Sequence, residues 1–259
     1  MRFQVRNQIS SREDLTIGLA GIALLLLVWC ILSYGEFVKP LFLPKPTDIW
    51  NAIVDFYKVG WLLPAIWRSF WRVTKALLFV VMIGVPIGVL MGAFTPIDAF
   101  FRKIVNGAKS VPTTGILPLV ILWFGLGEKG KVAFLFLGAI FYMIIMVKNA
   151  ILGVSEDYIR VALDVGANRW QVVSRVLVPG ALPKIWDAIA VCNGIMWTYI
   201  LLAEFINASE QELGLGYLLY LGGRTQEPGR VFGTLIIIAM ISSLTDYLLV
   251  TIRARLLNW

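Results

Sequence analysis

Long apolar runs alternate along the chain with short polar segments that carry most of its charge. A helix needs about 20 predominantly apolar residues to cross the hydrocarbon core of a bilayer. Six stretches approach this length, and the third is an interrupted span that is weakened at Pro112. The pattern therefore predicts about six membrane-spanning helices, over residues 17–34, 76–94, 104–124, 132–146, 185–206 and 231–252.

The composition agrees with an all-α integral membrane protein. Of 259 residues, 59% are hydrophobic and 15% are charged, whereas a soluble domain is nearer half apolar and a quarter charged. This excludes an ordinary soluble enzyme, a disordered chain and a disulfide-framed secreted domain. The sequence has no histidine, and Cys30 and Cys192 lie far apart in separate apolar runs. We therefore expect no catalytic residues and no metal site.

The formal net charge of +7 arises from basic residues that lie mostly between the apolar runs. This distribution is typical of topology signals and of contacts with membrane lipids, and it argues against a nucleic-acid partner. Arginines near both ends predict cytoplasmic termini and an uncleaved first span: Arg2, Arg6, Arg12, Arg253 and Arg255. Basic residues between positions 39 and 72 would then lie outside, which opposes this assignment.

Residues 36–75 contain four prolines and a tryptophan-rich stretch at Trp61, Trp67 and Trp71, which is typical of interfacial helices that lie along the membrane surface. One such helix is predicted to begin at Pro46, with an apolar face made by Ile49, Ile53 and Phe56.

Three glycines at a spacing of four occupy one face of the second predicted span: Gly84, Gly88 and Gly92. Such a row allows another helix to approach closely, although glycine is also generally tolerated in membrane helices. Pro86 is predicted to bend this span.

Residues 125–132 match two phosphate-loop patterns in part. Val132 stands where a Ser or Thr hydroxyl would meet Mg²⁺, and the flanking segments are apolar spans instead of a strand and a helix. We therefore interpret this segment as a turn between two spans that binds no nucleotide.

The polar segment 157–183 has helical spacing of apolar residues on both sides of Gly166. Gly166 can adopt a positive φ and so end one short helix and begin another. Pro179 and Pro183 are predicted to stop the second helix before the next span. This helix–Gly–helix would either insert into a groove of another protein or pack on the cytoplasmic face of this chain.

The same segment resembles the EAA loop of ABC importer permeases. The matching pattern is Arg160-Val-Ala162-x3-Gly166-x9-Val176-x-Val178-Pro179. Ala162, Gly166 and Pro179 match the family pattern, whereas Arg160 stands where the family has Glu. Residues 43–50, 118–128, 177–183 and 203–218 are similar, in order, to segments of the nitrate, sulfonate, taurine and bicarbonate branch of that family.

The resemblance implies a type I ABC importer permease fold in one transmembrane domain, residues 1–259, in a prokaryotic cytoplasmic membrane. It implies that two copies form the pathway, that an extracytoplasmic binding protein delivers a small anion, and that separate ATPase subunits carry ATP and Mg²⁺. This chain itself would bind no cofactor. The implied ATPase-coupling residues are Arg160, Ala162, Gly166, Ala167, Asn168, Arg169, Trp170 and Pro179.

Ionisable residues within spans are costly and often face a cavity or a partner. Lys109, Asn193, Trp197 and Glu204 are therefore candidate pathway residues. The alternatives are a snorkelling or structurally paired Lys109, plain helix packing for Asn193 and Trp197, and an intersubunit or helix-cap contact for Glu204. Asp187 is expected at the cytoplasmic boundary.

Two rival functions remain at this point. A self-contained secondary transporter would favour an inverted repeat and paired intramembrane carboxylates, which the sequence does not contain. A membrane-embedded enzyme would need a nucleophile or a metal constellation within the spans.

Overall fold

The computed structural model describes residues 10–205 and 208–256, and their secondary structure is entirely helical. Within these two stretches the helices are, in chain order, α1 (Ser11–Tyr34), α2 (Pro46–Lys58), α3 (Leu62–Ala93), α4 (Thr95–Ser110), α5 (Thr113–Phe124), α6 (Glu128–Leu152), α7 (Glu156–Asp164), α8 (Arg169–Val172), α9 (Val178–Phe205), α10 (Leu215–Arg224) and α11 (Pro228–Leu256), with a π-helical turn over Val173–Leu177 between α8 and α9. Arg2, Arg6 and Ile206, which enter the sequence predictions, lie outside the described residues.

Among the described residues, five helices are long and apolar enough to cross a membrane: α1, α3, α6, the continuous helix that contains α9, and α11. The predicted interrupted span corresponds to α4 and α5, which meet at an angle of 99° at residues 111 and 112. Proline cannot donate a backbone hydrogen bond and restricts the residue before it, so the break at Pro112 follows from the sequence.

The second span begins at Leu62, not at the predicted residue 76. Its 32 residues are roughly 48 Å long, which exceeds the ~30 Å hydrocarbon core. Trp67 and Trp71 therefore belong to the first turns of this span, and the prediction of an interfacial helix there is wrong. The predicted bend at Pro86, which lies inside the continuous helix, stays a prediction.

The amphipathic helix α2 begins at Pro46 as predicted, and the backbone N–H of Lys45 donates to the Asp48 carboxylate. Ile49 and Phe56 are buried, and Ile53 is partly buried. This apolar face packs against the start of α11, where Gly233 leaves room for Ile53.

The glycine row of α3 lies directly against α6. A Cβ atom at Gly88 would lie 2.7 Å from Cβ of Val147, and a Cβ atom on each of the other two glycines would be equally crowded, because Gly84 faces Met143 and Gly92 faces Ile151. Of the two interpretations, close helix approach is therefore confirmed. The register also shows that α3 and α6 run parallel, because both residue numbers increase together.

This register defines two ends of the bundle. The loop end carries α7 and α8, which follow the end of α6; the far end is where α3 and α6 begin. The α4–α5 pair starts beside Trp170 at the loop end and finishes at Gly125, next to the start of α6 at the far end. It therefore connects the two ends as one broken span.

The helices α9 and α11 run antiparallel, because Arg253 near the end of α11 pairs with Asp187 near the start of α9 at 3.1 Å. The end of α1 lies at the far end, where the Trp29 indole N–H donates to the Pro44 carbonyl at 3.1 Å and the ring faces Phe232 of α11.

Two further predictions are wrong. Pro179 and Pro183 do not end a helix, because α8, the π-helical turn and α9 form one continuous helix. A π-helical turn directly before Pro179 widens the helix where the pyrrolidine ring would otherwise clash with the preceding turn. The predicted polar loop 207–230 contains α10, which was missed because it is too short to be detected as a span.

A network of charges centred on the buried Arg72 and Glu204 joins three helices, α3, α6 and α9, and the segment before α10 at the far end. We call it the ionic cluster, and its members are Ser69, Arg72, Glu128, Lys131, Glu204 and Glu212. Arg72 and Lys131 are each only 1% exposed. The Arg72 guanidinium donates to Glu204 at 2.8 Å and to both carboxylate oxygens of Glu128, and the Lys131 ammonium contacts Glu212 at 2.7 Å.

Glu204 also fixes the start of α10. Its second carboxylate oxygen accepts the backbone N–H of Gly216 at 2.7 Å, and Ser69 accepts the N–H of Leu215 at 3.0 Å. A Cβ atom at Gly214 or Gly216 would lie 2.5 Å from an atom of Glu204. The Gly-Leu-Gly segment 214–216 is therefore wrapped around one carboxylate.

We expect Gly88→Ala to destabilise the protein by about 1–3 kcal/mol, because the added methyl overpacks the contact with Val147. The denaturation midpoint of the protein in detergent measures this effect. Gly194→Ala is the matched control, since a Cβ there meets nothing within 4 Å. Equal midpoints for the two variants would contradict the close contact.

We expect Glu204→Ala to lower the free energy of unfolding by about 3–5 kcal/mol, because it leaves the buried Arg72 guanidinium without one of its partners. The control is Glu156→Ala, whose ion pair with Arg160 is exposed on both sides and should contribute less than about 1 kcal/mol. Comparable losses for the two variants would show that the cluster does not stabilise the bundle.

Candidate functional site

The helix α7 is defined by caps at both ends. The Ser155 hydroxyl accepts the backbone N–H of Asp157 at the start, and acidic residues in the first turn complement the helix dipole. At the end, Gly166 has φ of +87° as the sequence predicted. Its N–H donates to Leu163 at 2.9 Å, and the N–H of Ala167 donates to Ala162 at 3.0 Å. These two bonds form a Schellman motif.

The helix α8 begins immediately afterwards at a reciprocal capping box. The Asn168 side-chain oxygen accepts the N–H of Gln171 at 2.9 Å, and the Gln171 side chain accepts the N–H of Asn168 at 2.8 Å. Capping on both sides of the turn fixes the angle between α7 and α8. We call residues 156–172 the coupling segment.

One side of the coupling segment packs on the bundle. Ala162 and Ala167 contact the buried core, and the Trp170 ring lies 5.4 Å from the Phe94 ring in an edge-to-face arrangement. Phe94 is the single residue between α3 and α4. The segment is therefore attached to the corner where two spans meet.

The other side of the coupling segment is apolar and exposed. Val161 is 61% exposed and Val165 is 80% exposed. A groove of about 920 Å³ separates α7 from the start of α9, and both Ala162 and Pro179 line it. Exposed apolar residues around a rigid turn are typical of a protein-binding surface. One face thus packs internally, as the second alternative predicted, whereas insertion of the open face into another protein stays a prediction.

The remaining coupling candidates also lie on this surface. Arg160 is exposed and pairs with Glu156 one turn earlier at 3.1 Å. Arg169 is exposed at the first position of α8. The segment is shorter than the predicted loop 157–183, because α9 already begins at Val178.

Three contacts at the loop end were not predicted from the sequence. Asp98 of α4 forms ion pairs with Arg102 and with Lys148 of α6. The ring of Phe94 contacts the ring of Trp170. The pairing of Asp98 with Arg102 follows the i, i+4 spacing of a helix. The contacts with Lys148 and Trp170 span 50 or more positions and leave no local signal.

The four pathway candidates do not come together. Lys109 is exposed in the last turn of α4, just before the break at residues 111 and 112. Thr113, directly after the break, lies beside Gly138 near the middle of α6. Lys109 is therefore an exposed lysine at about half the depth of the bundle.

The other three candidates lie along α9 and are buried. The Asn193 side-chain amide donates to the Thr245 hydroxyl at 3.0 Å. Trp197 is 2% exposed, and its indole N–H has no hydrogen-bond partner within the described parts of the chain. Glu204 belongs to the ionic cluster and caps α10, as its helix-cap alternative anticipated. In this chain these side chains contact neighbouring helices instead of an open cavity.

The partial phosphate-loop match is a turn between α5 and α6. Gly125 ends α5 with φ of +77°, and α6 begins at Glu128. Lys131, which a phosphate loop would direct at a nucleotide, is buried in an ion pair with Glu212. Across residues 10–205 and 208–256, no group of three metal-ligating side chains is assembled.

Comparisons with known proteins agree with this architecture. The chain is 31% identical to the taurine transport system permease protein TauC of Escherichia coli (strain K12), over 95% of this chain and 90% of that protein. It is 29% identical to the putative aliphatic sulfonates transport permease protein SsuC of Bacillus subtilis (strain 168), over 93% of this chain and 87% of that protein.

The fold resembles that of the inward-facing MetNI methionine ABC transporter, with a TM-score of 0.68 at 22% identity over 76% of this chain and 96% of that chain. Residues 84–258 match the family described as the binding-protein-dependent transport system inner membrane component. The chain belongs to this family, and it is a membrane-spanning permease subunit of an ABC importer with the type I permease fold.

Proposed function

We propose that this permease imports a small sulfonate or a similar small anion, that two copies form the alternating-access pathway, and that residues 1–259 act as one transmembrane domain. The observation that supports the mechanism best is the doubly capped coupling segment, with one face on the Phe94 corner and the other face open. The substrate class rests on the taurine and sulfonate relatives.

The open face of the coupling segment is the proposed docking site for a separate ATPase subunit. Val161, Val165 and the groove beside Pro179 offer apolar surface on a rigid turn, and Arg160 and Arg169 border it with charge. The bound ATP and Mg²⁺ belong to the partner in this proposal. The permease contributes no step of hydrolysis and responds to the movement of the docked subunit.

A displacement of the coupling segment would be transmitted to the spans through two connections. Trp170 bears on Phe94 at the α3–α4 corner, and the π-helical turn joins α8 to α9 without a break. The continuous helix transmits displacement because it cannot deform gradually, and the edge-to-face contact of Trp170, which is 65% exposed, links the segment to the α3–α4 corner. The pathway would thus open toward one side or the other as the ATPase subunits close and separate.

The proposed topology places the loop end in the cytoplasm and the far end outside. Arg253 and Arg255 at the end of α11, and Arg160 and Arg169 in the coupling segment, then share the cytoplasmic side, which the positive-inside rule favours, whereas the basic residues between positions 39 and 72 lie at the far end and oppose it. A span of the length of α1 that finishes at the far end begins on the cytoplasmic side. Both termini are therefore cytoplasmic in this proposal, and an external binding protein would deliver substrate at the far end.

Lys109 is the pathway residue that the geometry supports most directly. An exposed lysine at half depth is costly in lipid, and its cost falls if it faces a water-filled path between two copies. There it would attract an anion. Asn193, Trp197 and Glu204 remain proposed pathway residues with weaker support, because their side chains are buried within one copy.

We expect Gly166→Asp to reduce co-purification of the ATPase subunit at least about tenfold, equivalent to ~1.4 kcal/mol of binding, while the permease still inserts into the membrane. The substitution adds charge and strains the turn at a positive φ. Gly60→Asp is the matched control, because Gly60 also has a positive φ but lies at the far end. Normal ATPase binding by the Gly166 variant would refute the docking assignment.

We expect Lys109→Ala to raise the KM for sulfonate uptake several-fold, about 5- to 30-fold for the loss of one charged contact of 1–2 kcal/mol, whereas Lys109→Arg retains uptake. Uptake of taurine and short alkanesulfonates by the assembled importer measures this effect. Lys103→Ala, an exposed lysine earlier on α4, is the control. If the unmodified importer takes up none of these compounds, the substrate class is wrong.

A further inference from the structure

A groove of about 530 Å³ runs along the surface where α3, the end of α5 and the start of α6 meet. Its polar end carries the two lysines Lys75 and Lys129. Its walls are apolar and are formed mainly by Phe79, Ile83, Val132 and Phe136.

The groove points into the membrane from the far end. Because α3 and α6 run parallel, Lys75 precedes Ile83 and Lys129 precedes Phe136 in the same direction. A rise of 1.5 Å per residue places the apolar ends of the groove roughly 10–12 Å below the two lysines. One end is thus cationic and the other is apolar.

Exposed tryptophans mark the membrane level of the cationic end. Trp67 is 61% exposed and Trp71 is 40% exposed, and Trp71 lies one helical turn before Lys75. Trp123, near the end of α5, is 62% exposed. Tryptophan concentrates at the headgroup level of bilayers, so Lys75 and Lys129 lie at the boundary between the headgroups and the acyl chains.

The two lysines are available to bind an anionic ligand. Glu128 also borders the groove, but both of its carboxylate oxygens accept hydrogen bonds from Arg72. Within residues 10–205 and 208–256, neither Lys75 nor Lys129 has a carboxylate oxygen within 4 Å. The cationic end therefore complements an anion, and the walls complement a hydrocarbon chain.

We propose that this groove is a binding site for one anionic phospholipid. The phosphate lies between the Lys75 and Lys129 ammonium groups, and one acyl chain follows Phe79, Ile83 and Phe136. The lipid holds α3, α5 and α6 together beside the ionic cluster and stabilises the far end of the bundle. The site requires that the chain spans a membrane, but it requires neither the proposed substrate nor the proposed ATPase contact.

The test measures lipid binding to the purified full-length chain by native mass spectrometry, with phosphatidylglycerol and phosphatidylcholine as the probes. We expect one phosphatidylglycerol to bind in preference to phosphatidylcholine. Lys75→Gln/Lys129→Gln should weaken that binding roughly 25-fold, at about fivefold for each lysine, and Lys75→Arg/Lys129→Arg should retain it. Phosphatidylglycerol should also raise the melting temperature of the unmodified protein but not that of the glutamine double variant.

The matched control is Lys39→Gln/Lys58→Gln, which removes the same charge from exposed lysines at the far end but outside the groove. Equal loss of phosphatidylglycerol from the two double variants would overturn the site, as would equal binding of the two lipids by the unmodified protein. Phe79→Cys, made with Cys30→Ser, tests whether a second copy of the chain covers the groove instead of a lipid. An intermolecular disulfide through Cys at this position in native membranes would show that a second copy covers the groove, and the lipid site would be wrong.

Discussion

The close parallel contact between α3 and α6 sets the geometry of the whole bundle. Because Gly84, Gly88 and Gly92 lack side chains, the two helices touch along three successive turns, and dispersion forces act over short distances where lipid offers no hydrophobic driving force. The same register places Arg72 opposite Glu128 at the far end and brings Phe94 to Trp170 at the loop end. A shift by one turn would separate both pairs.

The ionic cluster illustrates how burial of Arg72 and Glu204 changes the role of charge, while Glu128 at the edge of the cluster stays half exposed. A buried guanidinium is costly unless carboxylates and further hydrogen bonds satisfy it, and Arg72 has Glu204, Glu128 and Glu212 around it. Each carboxylate comes from a different part of the chain. The cluster therefore specifies where α10 begins, in addition to any stabilisation that it provides.

Features that depend on local chemistry could be predicted from the sequence. The spans, the break at Pro112, the close approach at Gly88 and the positive φ of Gly166 all follow from the properties of neighbouring residues. Features that depend on contacts between distant residues could not be predicted. The Arg72–Glu204 pair spans 132 positions, and the helix continues through Pro179 because a π-helical turn accommodates the ring.

The same division explains why the geometry of the coupling segment could be predicted better than the positions of the candidate pathway residues. All the residues that form the caps of this turn lie within about 20 positions of one another, so the local sequence determines its geometry. A pathway between two copies depends on which faces remain open after assembly, and one chain buries Asn193 and Trp197 while it exposes Lys109 at half depth. An exposed ionisable group in a membrane span needs an aqueous or protein partner. The position of Lys109 is thus consistent with the proposal that a second copy completes the pathway.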